Sequence, residues 1–199
     1  DKDIESFVTS DPKKISWAGG LFSKLERNLE LKFSEKFIAT SLYRPYSKVN
    51  LYYSTDFNER VYRMPNVFPT ADSKNLVIYI SGIGGKKNFS ALMTDCIPDV
   101  QLNFNGQCFP LYWYEEDPTK AQRQLFDANN DDRYTRRDGI SDKALAMFRD
   151  RYRDYSITKE EIFYYIYGVL SSPEYREKFG DDVKKVLARV PFAKDFRIF

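Results

Sequence analysis

The sequence predicts an α+β fold, a mixed β-rich core followed by a C-terminal helical subregion. Three observations predict it. Short apolar runs of β type fill the stretch from Ile38 to Tyr114. Apolar residues at helical spacing, each group behind a start signal, fill 140–190. Between the two, residues 115–139 are polar and rich in Asp, Asn and Arg. A chain of 199 residues is long enough for one domain, or for one domain with a smaller appendix, and for a sizeable core.

In chain order, residues 1–14 are polar and expected to fray. Leu21, Phe22, Leu25, Leu29 and Phe33 follow the spacing of one helix face, which predicts a helix within Trp17 to Phe33. Gly19 and Gly20 weaken its first turn. The β-type runs are 49–53, 60–63, 76–80 and 111–114. The run Leu76 to Ile80 is continuously apolar and sits beside Gly82, Gly84 and Gly85, so it reads as a central strand. Residues 115–139 read as a polar loop or hinge, because long loops inside compact domains are uncommon. It divides residues 1–114 from residues 140–199. In the second part Ser141 caps a helix through Ala144, Leu145, Phe148 and Tyr152. Thr158 with Glu161 forms a capping box, each side chain satisfying the other's free backbone donor. The helix it opens buries Ile162, Ile166, Val169 and Leu170. Ser172 before Pro173 is another start, proline's missing donor costing nothing at the first helical position. Asp181 is placed to cap a last helix through Val183, Val186 and Leu187. No internal repeat is present.

Composition restricts the function. Aromatic residues make up 17% of the chain and read mainly as core, although Tyr and Trp also suit a contact surface. Net charge is only +2. Residues 1–90 hold 14 Lys and Arg against 10 Asp and Glu, whereas residues 91–199 hold 17 against 19. A phosphate-facing surface is therefore permitted in the first half but not demanded. Cys96 and Cys108 cannot build a zinc site unaided, and nothing supports a disulfide between them. No apolar run reaches the ~18–20 residues of a membrane span, and no signal peptide opens the chain. It begins at Asp1 without an initiator Met and reads as an excised fragment, expected in a bacterial cytoplasm.

The chain contains no histidine, which excludes Ser-His-Asp and Cys-His nucleophiles and histidine metal sites within it. Gly82-Ile-Gly-Gly-Lys-Lys87 lacks Walker spacing and a following Ser or Thr. It reads as a plain glycine turn, as one whose Lys86 and Lys87 touch DNA phosphates, or as a nucleotide site, in that order. Pro98-Asp99 resembles the opening of a metal-dependent nuclease motif, but Glu115-Glu116-Asp117 followed by Pro118-Thr119-Lys120 does not complete it. No S-adenosylmethionine glycine loop and no aromatic base-flipping tetrapeptide is present.

Several stretches occur together and in order. They are Ser16-Trp17, Ser41-Leu-Tyr-Arg-Pro-Tyr46, Phe57-Asn-Glu-Arg-Val-Tyr-Arg-Met-Pro65, Phe68-Pro69 and Gln107-Cys-Phe-Pro-Leu-Tyr112. Arg137-Asp138, Ile140-Ser-Asp-Lys-Ala-Leu145, Ile157-Thr-Lys-Glu-Glu-Ile-Phe-Tyr-Tyr-Ile-Tyr167, Pro173-Glu-Tyr-Arg-Glu-Lys178 and Val190-Pro-Phe-Ala193 complete the set. In this the chain resembles the C-terminal target-recognition region of Type ISP restriction–modification enzymes. Tyr46 stands where that pattern more commonly has Phe. The resemblance implies a DNA-recognising module that holds no cofactor and performs no chemistry itself. It also implies a parent polypeptide with a nuclease, an ATP-driven DNA motor and an adenine methyltransferase, using S-adenosylmethionine, ATP and Mg. The implied partners are double-stranded DNA and the methyltransferase domain of the same polypeptide, with no membrane. The alternative is a docking module that braces the methyltransferase on DNA without reading bases.

For DNA contact Arg44 and Arg60 come first, since arginine makes paired hydrogen bonds to guanine or clamps phosphate. The competing role is an internal ion pair, for example of Arg60 with Glu59 or Asp56. Lys48, Arg63, Lys86 and Lys87 suit phosphate contacts or plain solvated charges. Asn58 and Asn88 are the adenine-pairing candidates, and Tyr165 and Tyr167 read as packing residues.

Overall fold

The structure, a computed structural model, describes residues 8, 9, 11, 14, 17, 19–84, 88–103, 105–117 and 133–198. Its elements in chain order are α1 (Gly19–Glu26), β1 (Ile38–Arg44), β2 (Ser47–Tyr52), α2 (Met64–Val67), β3 (Val77–Ile80), β4 (Ala91–Thr94), β5 (Ile97–Pro98), β6 (Gln107–Pro110), β7 (Tyr112–Glu116) and β8 (Tyr134–Asp138). Three helices follow, α3 (Asp142–Tyr152), α4 (Lys159–Ser171) and α5 (Pro173–Phe179). The strands form two three-stranded sheets, ordered β2–β1–β5 and β4–β3–β6, and a separate ribbon, β7–β8. The class is α+β.

The β3 strand explains the layering. All four of its residues are buried. Successive strand side chains point to opposite faces, so two partners must cover it. Val77 packs with Ala39, Val67, Phe68 and Ile97, and Tyr79 with Leu42, Cys96 and Leu102. Ile78 and Ile80 belong instead to the large cluster of Ile157, Ile162, Phe163 and Val169. The β4–β3–β6 sheet is thus a middle layer between the β2–β1–β5 sheet and the helices. Fully burying a side chain such as Ile162 contributes about 1.5–3 kcal/mol, and this double coverage is why Leu76 to Ile80 reads as unbroken apolar sequence.

Three helix starts have the expected chemistry. The Ser141 side chain accepts from Ala144 N, Thr158 and Glu161 make both halves of a capping box, and Ser172 caps α5 with Pro173 in its first turn. Tyr152 and Tyr165 then pin the chain end. Tyr152 Oη donates to Ala193 O at 3.0 Å, and Tyr165 Oη to Pro191 O at 2.9 Å. Tyr165 is buried and Tyr167 half-buried.

Four expectations are corrected. The first helix stops at Glu26. Asn28 takes φ 53, and Asn28 N and Leu29 N donate to Leu25 O and Lys24 O, a Schellman ending that leaves Leu29 and Phe33 exposed. Residues 60–63 are a turn, because Arg60 (φ 54) and Tyr62 (φ 48) are left-handed, which no strand permits. No α-helix opens at Asp181, and a single 3-10 turn at Phe196–Ile198 is the helical structure described after it. Residues 181–185 form turns, with Val183 buried and Val186 and Leu187 exposed. Finally, both described ends of the segment 115–139 are strand, β7 pairing antiparallel with β8. The largest apolar cluster also crosses that segment, joining Ile78, Ile80, Phe89 and Leu111 to the helices. Residues 118–132 lie outside the described residues.

Candidate nucleic-acid interface

The register of β3 defines two poles. At its Val77 end lie Pro110 and, one step on, the start of β7. At its Ile80 end lie Ala91 and, upstream, Asn88 and Phe89. A four-residue strand separates the two by about 10 Å.

At the Val77 pole, Asn75 fastens three segments. Its Nδ2 donates to Val67 O and Tyr112 O, both at 2.8 Å, while Oδ1 accepts from Leu76 N at 2.8 Å and Tyr112 N at 3.1 Å. This sets β7 against α2, and Asn66 Nδ2 adds a bond to Tyr114 O at 3.0 Å. The ribbon leaves from this anchor. Trp113 faces Arg137 in register, with the Arg63 guanidinium 5.9 Å from the Trp113 ring. Arg137 Nε donates to Glu115 Oε2 at 3.1 Å and remains largely exposed. On the opposite face Arg136 sits 4.3 Å from the Tyr112 ring. Lys159 ties the ribbon base to the helices through Asp138 (2.8 Å) and Asp142 (2.6 Å).

The β1–β2 hairpin is the second projection. Leu42 pairs with Lys48 and Arg44 with Ser47, so Tyr43 is bulged and Pro45-Tyr46 is the turn. Proline followed by a positive φ is the type II pattern, whose second central position favours Gly or Asn. Here it is Tyr46, at φ 66 and 93% exposed. The Arg44 guanidinium lies 3.9 Å from the Tyr43 ring, donates to Tyr43 O at 2.7 Å and faces Asp99 at 3.8 Å. Lys48 faces Asp95 at 3.5 Å. Hydrogen bonding with Cys96, whose Sγ also donates to Asp95 at 3.1 Å, and the Asp95 carboxylate hold the Lys48 ammonium above its ordinary range.

The structure therefore divides the residues expected to meet DNA. Arg60 and Arg63 are exposed, and Arg63 adjoins the ribbon at Trp113. Among the described residues Arg60 is in no ion pair. The carboxylates expected to pair with it are engaged elsewhere, Asp56 with Lys24 at 3.2 Å and Glu59 with Gly20 N. Arg44 and Lys48 occupy the hairpin. Asn58 has a structural task, its Nδ2 donating to Tyr52 O at 2.6 Å and Ser54 O at 2.9 Å. Asn88 lies at the far pole, beside Arg176 and Lys184 in a cleft of about 470 Å³. Lys86 and Lys87 lie outside the described residues. Sequence reasoning missed Arg136 and Arg137. The signal was the Tyr-Thr-Arg-Arg run, whose bulky and β-branched start suits a strand.

A larger cleft, about 680 Å³, opens between β1, the 71–76 segment and β5. Its charged lining mixes Lys48 and Lys74 with Asp72, Asp95 and Glu160 and concentrates neither sign. Among the described residues no group of three His, Cys, Asp or Glu side chains is placed to hold a metal, and no helix is long and apolar enough to cross a membrane. What the exposed pole offers chemically is arginine on a rigid strand pair beside aromatic rings, a combination suited to base edges and phosphates.

The Type ISP C-terminal specificity domain model matches residues 1–199. Solved structures share the fold. They include the DrdV–DNA complex determined by cryo-electron microscopy (TM-score 0.79, 32% identity, covering 98% of this chain and 17% of that one). A second is the ATP-dependent Type ISP restriction–modification enzyme LlaBIII bound to DNA (0.74, 28%, 91% and 11%). A third is a nuclease-deletion mutant of the Type ISP enzyme LlaGI in complex with a DNA substrate mimic (0.69, 30%, 98% and 13%). The chain thus spans less than one fifth of the length of each. No curated protein matches it.

Proposed function

This chain belongs to the Type ISP C-terminal specificity domain family, and from that premise we propose that it is the DNA target-recognition module of a larger restriction–modification enzyme. The observation that carries the reading is a fold shared over 98% of the chain, at 32% identity, with a protein solved in complex with DNA. The exposed arginines of the ribbon pole supply the contacts such a role needs.

The parent polypeptide, on this reading, supplies the chemistry: adenine methylation with S-adenosylmethionine, ATP-driven translocation and Mg-dependent cleavage. The module's partners are duplex DNA and the methyltransferase domain of the same chain, in a bacterial cytoplasm. A docking role is favoured for the β1–β2 hairpin alone. Its tip presents Tyr46 to solvent while Arg44 and Lys48 each face a carboxylate. An exposed aromatic tip suits a protein surface, since Tyr is among the residues enriched at the centres of protein–protein interfaces.

Hydrogen exchange of the intact parent protein, with and without a duplex carrying its site, tests the reading. Protection is expected in peptides covering 60–67 and 112–116. Unchanged exchange throughout this domain on DNA binding would contradict it.

A further inference from the structure

The reading as a DNA target-recognition module leaves open which side chains meet the bases. We propose that the exposed Glu115–Arg137 stretch of the β7–β8 ribbon, with the 60–63 turn beside its partly buried Trp113, is the base-reading surface, and that Arg137 reads a guanine. The inference rests on the DNA-recognition reading and deepens it.

Three independent features converge there. The first is presentation. Arg137 lies on a strand locked in register from Tyr112↔Asp138 to Glu116↔Tyr134, so its Cα position is fixed. Its guanidinium is mostly exposed, and Glu115 holds it at 3.1 Å. A reader must be held by neighbours that fix its rotamer, and strands hold side chains more precisely than loops. The second is shape. A two-stranded ribbon is narrow enough for the major groove, about 12 Å wide, where guanine offers O6 and N7 as a paired acceptor for one guanidinium.

The third is the neighbouring turn. Arg60 and Tyr62 are both left-handed, at φ 54 and φ 48, a conformation that bulky side chains rarely adopt. Tyr62 is 77% exposed, so the core gains nothing from it. The turn is nevertheless held on both sides, by Asn58 upstream and by α2 downstream. Backbone strain of this kind concentrates at binding sites, where surrounding structure imposes it. Here it carries Arg60 outward and sets Arg63 against Trp113. Arg137 is then the reader, oriented by Glu115, while Arg60 and Arg63, coming from the turn, hold flanking phosphates.

The test selects from a pool of duplexes with randomised positions, using the intact parent enzyme at two salt concentrations. The parent should return one motif. Arg137→Ala should lose the guanine preference at a single position, keep the others and bind the parent motif about 10-fold or more weakly. Arg137→Gln removes the charge and the guanidinium fork that guanine O6 and N7 accept from, so it should also lose the guanine. Arg60→Ala and Arg63→Ala should weaken all sequences alike and lower the log–log salt slope by about 1 each. An unchanged motif from Arg137→Ala, or a uniform weakening of all sequences with a lower salt slope, overturns the reader assignment while leaving the domain's role intact. A parent enzyme that returns no motif overturns the recognition reading and this inference with it.

Discussion

Asn75 shows how much one side chain can carry. It is buried, and its carboxamide satisfies four backbone groups on three segments. Buried polar groups that lose their partner retain their desolvation cost, so Asn75→Ala is expected to remove about 2–4 kcal/mol of stability. Denaturant unfolding of the chain measures this, and a change below about 1 kcal/mol would mean the knot is not what fixes β7. Tyr79 works similarly in the next loop. Its Oη accepts from Asn103 N and Gly106 N at 3.0 Å and donates to Val100 O at 3.1 Å, and burial raises its phenol above the usual range. A Cβ on Gly106 would sit 1.9 Å from Tyr79 Cζ, so only glycine fits there.

At the scale of elements, the helices are the most self-contained. Thr158→Ala removes one half of the α4 capping box and should cost about 1 kcal/mol, read as a lower melting temperature. No change would mean the Arg197–Glu161 pair, at 2.7 Å, holds the helix start alone. These starts were legible because capping is local: Ser141, Thr158 with Glu161, and Ser172 before Pro173 each sit within four residues of what they satisfy. The β3 strand was legible for a different reason, burial on both faces. Strands β1, β4 and β6 were not. Their inward residues include the small Ala39 and Ser41, and their outward ones are mixed, so no alternation stands out. The 60–63 run has β-favouring Val61 and Tyr62, but backbone handedness has no sequence signal when neither Gly nor Asn marks it. Val183, Val186 and Leu187 keep helical spacing, yet only Val183 finds a core to enter. Of the proposed binding surface, Arg60 and Arg63 were legible as exposed cations. Arg137 was not, because Trp113 meets it only through a strand pairing that spans residues 114–136.

For the whole molecule, the layering gives the two projections different surroundings. The ribbon is fixed at the Val77 pole by Asn75, beside the middle sheet, and by Lys159 from α4. The β1–β2 hairpin extends from the outer sheet with its cations already faced by Asp95 and Asp99. Exposed pairs of that kind contribute about 0–1 kcal/mol each, so they leave the hairpin free to exchange partners. A module built this way can determine the site while the rest of a longer enzyme acts on it. Exchange of this domain between two related enzymes with different sites, followed by mapping of the methylated sequence genome-wide, tests that claim directly. The methylated site should follow the transplanted 199 residues. A chimera that is active but keeps the recipient's original site would contradict it.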